Sequence, residues 1–160
     1  MSLSHEVPSH GTQMLEQVHK IICNLAMPRI DRSEIAIRRS PWTKNVIYQG
    51  CTVWAVPQIY AAGTNEREDV GYGAAITFAA YDSQDASSNI DQIPIWIATS
   101  RSRFLYESRL DITPRSGCSF INLTIHSFDP RPPRNHPESE KYEMQSLIVR
   151  AWVRESRIRG

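Results

Sequence analysis

The sequence is poor in features that announce chemistry. Its three cysteines, Cys23, Cys51 and Cys118, are odd in number and widely spaced, with no Cys-x-x-Cys pair. That argues against a disulfide framework and against a zinc site, and leaves three buried or half-buried thiols as the plain reading. No apolar run approaches the roughly 18 residues of a membrane span, and the opening MSLSHEVPSHG lacks the basic and apolar regions of a signal peptide. Synthesis in the cytoplasm is the expectation. Eighteen Lys and Arg against 17 Asp and Glu leave a net charge of +1, so any polyanion partner would have to be met by a local patch.

Catalytic and phosphate-binding motifs are missing as well: no His-Glu-x-x-His, no Walker loop, no Gly-x-Ser-x-Gly elbow, no recognised pair of carboxylates. Gly71-Tyr-Gly73 resembles a phosphate turn only superficially, since it runs into a strand and not into a helix N-terminus. Asp82, Asp85 and Asp91 flank a Ser-rich stretch without EF-hand spacing or a closing glutamate, and read as a solvated loop. Five scattered histidines form no visible triad. The expectation is a protein that is not an enzyme and uses no cofactor and no metal; a site assembled only in space would have to draw on His126, Asp129 and Cys118.

What is present is a fold. At 160 residues the chain suits one domain, with residues 1–11 as a loose arm and 12–160 as the domain. Val70 to Asp82 alternates at period two. Val70, Tyr72, Ala74, Ile76, Phe78 and Ala80 make a bulky face, while Gly71, Gly73, Ala75, Thr77, Ala79 and Tyr81 make a face of mostly small side chains that another element can approach closely. Such a strand is central or tightly covered.

Ahead of it, Met14, Leu15, Val18, Ile21, Ile22 and Leu25 predict an amphipathic helix over Thr12 to Met27, capped by Thr12 and stopped by Pro28. His19 near its polar edge reads as solvated. Residues 28–49 carry a basic excess (Arg29, Arg32, Arg38, Arg39, Lys44), either a partner loop or a solvated face, with a minor strand possible at Ile35 and Ile37. Gly50 to Ile59 alternates as a strand that Pro57 ends or pushes to an edge, and Tyr60 to Asp69 forms a polar tip joining it to the central strand as a long hairpin. Over Ile90 to Arg109 two readings compete: Ile90, Ile93, Ile95 and Ile97 alternate as in a strand, whereas Pro94 suits a first helical turn and Ile93, Ile97, Phe104, Leu105 and Ser108 follow helical spacing, which favours a second helix from near Ile93.

Cys118 to Phe128 is the next strand, with Ser119, Ile121, Leu123, Ile125 and Ser127 as its core face and His126 on the other. Four prolines between Asp129 and Glu140 predict an extended loop. Tyr142 to Arg157 closes the chain as a long strand. The expected fold is α+β: one mostly antiparallel four-stranded sheet with two helices on one face, in the order α-β-β-α-β-β.

The positive functional signal is on the last strand, where Arg150, Trp152 and Arg154 interleave cations with an aromatic and Arg157 and Arg159 follow. That pattern lines nucleic-acid grooves, and it also anchors subunit interfaces; a third reading packs Trp152 under a helix with the arginines flat on the edge.

The N-terminal amphipathic helix, the Val53-Trp-Ala-Val-Pro57 strand, the polar hairpin tip, the Tyr72 to Tyr81 strand with its Asp-rich break, then a helix and two strands together resemble the tail-terminator and neck proteins of tailed phages and prophages. The resemblance is largely topological. The Pro-rich insertion at 130–137 departs from it. It implies a ring, usually hexameric, that caps the tail tube and offers a face to the head connector, with the protein residing in a virion or tail-like particle. Carried onto this chain, it implies that the hairpin tip, Gly63, Thr64, Asn65, Glu66, Arg67, Glu68 and Asp69, makes inter-subunit or tube contacts. Nucleic acid is not expected as a partner.

Overall fold

A computed structural model describes residues 7–61, 67–81, 89–107, 110–128, 135–138 and 140–156. Its elements run α1 (His10–Asn24), β1 (Ile35–Ile37), β2 (Gly50–Tyr60), β3 (Arg67–Tyr81), α2 (Ile93–Ser102), β4 (Cys118–Phe128) and β5 (Tyr142–Ser156). The expected four-stranded sheet has a fifth member. Strands lie in the order β1-β2-β3-β5-β4, with β1 parallel to β2 and every other pair antiparallel, so the sheet is mixed. Three residues of β1 pair Ile35, Ala36 and Ile37 with Cys51, Thr52 and Val53, and the two-isoleucine signal is what made that strand legible.

β3 is the central strand. Its bulky face and those of its neighbours, with Cys51, Val53, Ala74, Ile76, Phe78 and Val149, take Met14, Val18 and Ile22 of α1 and Ile93 and Trp96 of α2 into one core. Both helices therefore sit on one side of the sheet. Trp96 packs its ring 5.6 Å from that of Phe78 and donates its indole N–H to the Pro28 carbonyl, so the segment after α1 anchors α2.

Several boundaries move for identifiable reasons. α1 starts at His10 because Ser9, not Thr12, is the cap: Ser9 Oγ accepts from the Thr12 N–H at 3.1 Å. His10 and Gly11, expected in the arm, thus belong to the helix. The helix closes at Asn24, where Arg32 reaches back to the Cys23 carbonyl and the Asn24 side chain. His19 is half-buried, 3.1 Å from the Ile35 carbonyl, and ties α1 to β1 instead of being solvated. Beyond α2 the helix widens into one π-type turn at Arg103–Glu107, which leaves Leu105 exposed.

Pro57 does not end β2. A bulge absorbs it between Val56 and Ile59, so the strand continues to Tyr60. The connection is correspondingly shorter, and Arg67, Glu68 and Asp69 are paired residues of β3 and not loop. A second bulge at Ile121 resets the alternation of β4. Leu123 and Ile125 pack on the core as expected, but Phe120 and Cys118 share their face, while Ile121 is exposed.

Candidate interaction face

The sheet surface opposite the helices carries the residues singled out on β5. Register places them in rows running across β2, β3, β5 and β4: Ile59, Gly71, Trp152 and Asn122; then Val56, Gly73, Arg150 and Thr124; then Trp54, Ala75, Ile148 and His126. The small side chains of β3 form a trough between larger neighbours. What approaches them is not another layer but the long side chains of the flanking strands.

Arg150 lies in that trough. A Cβ built on Gly71 would stand 2.8 Å from its Cδ, and one on Gly73 would stand 3.3 Å from its Cζ and 2.4 Å from Val56 Cγ2. Its Nη1 donates to two carbonyls, Gly71 and Pro57, each at 3.1 Å. The Pro57 carbonyl sits in the β2 bulge that the proline itself requires. Arg150 is only 7% exposed, and burial pulls its pKa below the usual arginine value.

The aromatics complete the surface. Trp152 is half-buried and donates its indole N–H to Thr124 Oγ1 at 3.1 Å. Trp54 donates to Thr77 Oγ1, which shares a 2.6 Å hydrogen bond with Ser146 Oγ, and its ring meets Phe128 at 6.1 Å above the small residues between them. At the far end a satellite cluster of Ile47, Ala79 and Met144 is covered by Trp42 and Tyr142. Arg38 of the basic segment is spent within the fold, stacked 4.3 Å from the Tyr48 ring centre and bonded to Thr52 Oγ1.

The three β5 residues thus do different jobs. Arg154 grips Asp69 through Nε and Nη2, at 3.0 and 3.3 Å, and this hydrogen bond holds the Asp69 carboxyl below the usual carboxylate range. Trp152 lies on the face away from the helices, so it does not pack beneath one. Of the hairpin-tip residues, Gly63, Thr64, Asn65 and Glu66 fall outside the described residues, as do Arg157 and Arg159.

Two further surfaces emerge from pairing. β4 is an edge strand of 11 residues without a charged side chain or a proline. At the end of the sheet where it begins, the register row Tyr60, Val70, Val153, Phe120 puts its exposed Phe120 across from the start of the β2–β3 arm. Ile59 and Tyr60 on the arm are 45% and 57% exposed, Phe120 and Ile121 on the edge 40% and 41%. Large apolar groups therefore collect at one end of the sheet.

One cluster escaped the sequence reading. His10, Tyr72 and Glu155 meet between α1 and the sheet. His10 Nε2 accepts from the Arg115 N–H, so the proton sits on Nδ1, which faces Glu155 Oε1 at 3.3 Å. Tyr72 donates its hydroxyl to the same oxygen and packs its ring, tilted, against the His10 ring. Burial first, and the Glu155 carboxylate second, push the Tyr72 pKa well above the ordinary tyrosine value. The sequence reading placed His10 in the loose arm of residues 1–11, because no local periodicity marks it as enclosed.

The groups named for a spatially assembled catalytic site do not converge. His126 is exposed on the open face, Cys118 lies near the other end of β4 on the opposite face, and Asp129 is outside the described residues. Burial, then Glu155, raises the Cys118 pKa, which leaves it a thiol and a poor nucleophile at neutral pH. Among the described residues no three of His, Cys, Asp and Glu are placed to share a metal ion, and no helix is long and apolar enough to cross a membrane. Compared with known proteins, the chain matches no protein-family model and no curated sequence.

Proposed function

We propose that this protein is a non-enzymatic structural component of a phage-like tail or neck, which assembles into a ring of six subunits that caps the tail tube or joins it to the head. The observation that carries the reading is the β4 edge. Natural edge strands are normally blunted by charge or proline, because unpaired N–H and C=O groups template the addition of another strand. β4 has neither device along its whole length, and near its start it exposes Phe120 and Ile121 of its own, while Ile59 and Tyr60 are exposed on β2 at the same end of the sheet.

A heterologous contact between this end of one subunit and a different surface of the next closes a ring if the rotation permits. The β2–β3 arm then meets the tail-tube or head-connector protein, no cofactor is required, and the assembled protein resides in the particle. Nucleic-acid binding by the β5 face is less well supported, since Arg154 is already neutralised by Asp69 and little positive charge is left to meet a row of phosphates.

The test is solution mass by light scattering after gel filtration, over a range of concentration and salt. A closed oligomer, or a monomer that builds rings as concentration rises, is expected, and Ile121→Lys on the exposed edge should return it to monomer without lowering thermal stability. Wild-type protein that stays monomeric throughout, and fails to close when mixed with tail tubes, would sink the reading.

A further inference from the structure

We propose that Arg150 anchors a docking subsite for a single carboxylate, an Asp or Glu side chain of a partner protein, seated beside the Trp152 indole on the open face of the sheet. This goes beyond ring assembly and holds equally for a monomer. The argument begins with an unbalanced charge. Arg150 is more than nine-tenths buried, and a guanidinium cannot shed its proton at any ordinary pH. A buried charge is normally met by an opposite one, because its desolvation is otherwise uncompensated.

Here it is not met. The register rows that surround Arg150 on the open face hold Val56, Gly73, Thr124, Ile59, Gly71, Trp152, Asn122, Trp54, Ala75, Ile148 and His126, none of them acidic. The carboxylate nearest along that face, Asp69, has both oxygens committed to Arg154. Only Nη1 of Arg150 is engaged, and by neutral carbonyls. Nε and Nη2 donate to no group of the described chain, yet they are not sealed from the surface. That pair is one edge of the guanidinium fork, and it matches the two oxygens of a carboxylate in parallel hydrogen bonds.

The setting selects the ligand further. The glycines at 71 and 73 let the guanidinium sink between Val56 and Trp152, so an incoming group meets one recessed cation in an apolar frame. Buried Arg and Trp side by side are the residues that dominate protein–protein contacts. A single recessed charge suits one carboxylate and gives a polyphosphate backbone nothing to follow.

The experiment is side-chain NMR on the full chain, following the Arg150 Nε–H and the Trp152 indole N–H. The probes are N-acetyl-glutamate methylamide, its glutamine counterpart and methyl phosphate. The glutamate probe should move both signals and saturate, while the exposed Arg39 shifts only linearly and the glutamine probe moves neither. Arg150→Lys keeps the charge but loses the fork, and should weaken binding by about tenfold. Should that variant not fold, Trp152→Ala leaves Arg150 in place and should also weaken the response. No saturable shift with glutamate, an equal response to glutamine, an equal response at Arg39, or tighter saturation by methyl phosphate would each overturn the proposal.

Discussion

Gly73 is where a single methyl group should be felt most. A Cβ there would stand 2.4 Å from Val56 Cγ2, whereas carbon atoms in contact prefer about 3.5–4.0 Å, so an alanine is more than 1 Å too close. Val56 is stiff about χ1 and cannot swing aside freely. Overpacking of this kind costs about 1–3 kcal/mol. For a domain of this size, Gly73→Ala should therefore lower the melting temperature by roughly 2–12 °C.

The cause can be isolated by removing the obstructing atom. Val56→Ala alone deletes two half-buried methyl groups and should cost on the order of 1 kcal/mol. Combined with it, Gly73→Ala should cost almost nothing: the clash is gone, and alanine in a strand gains about 0.5–1 kcal/mol over glycine through a less flexible unfolded chain. The 3.3 Å approach to Arg150 Cζ remains and limits that gain. Denaturant unfolding of the two single variants and the double, read by circular dichroism and tryptophan fluorescence, gives the coupling. A value near 2 kcal/mol is expected, and additivity within about 0.5 kcal/mol would show that the trough is not filled as described.

Two further outcomes follow from the same geometry. Because Tyr72 has its pKa raised, its neutral form contributes stability that is fully present below the ordinary tyrosine pKa of about 10 and is lost as pH climbs toward the folded value. Tyr72→Phe should flatten the alkaline limb of the stability profile above that point, and an unchanged slope would mean that Tyr72 is not the group involved. Cys51 is fully enclosed with its pKa driven up by burial, whereas Cys23 and Cys118 are half-exposed. In native protein a thiol reagent should modify Cys51 only as fast as the chain unfolds, as peptide mass mapping over time would show, and prompt labelling of Cys51 would contradict its placement.

Local alternation and helical spacing depend on which residues follow one another, so they were legible without coordinates. The bulky and small faces of β3, the helical stripe from Met14 to Ile22, the Pro94 start of α2 and the two hairpins all stand where the pattern put them. The misplaced pieces are those in which one residue changes phase. Pro57 reads as a strand end because it cannot donate to a ladder, but a bulge lets the neighbouring strand tolerate it; Ile121 reads as core because strict alternation is assumed, and the bulge at that position puts Phe120, still exposed, on the helix-side face in its stead.

The open face shows the deeper limit. Glycines at 71 and 73 could be recognised as small, and Arg150, Trp152 and Arg154 as a basic-aromatic stripe, from order along the chain alone. Which of those cations is spent inside the protein could not. That depends on Asp69 arriving opposite Arg154, and on Pro57 presenting its carbonyl to Arg150, through the antiparallel pairing of β3 with β5 and of β2 with β3. Charge compensation is set by distance in space. Only the tertiary structure brings residues so far apart in sequence close enough to decide it, and what it decides is that one arginine is neutralised while its neighbour is left with an open fork.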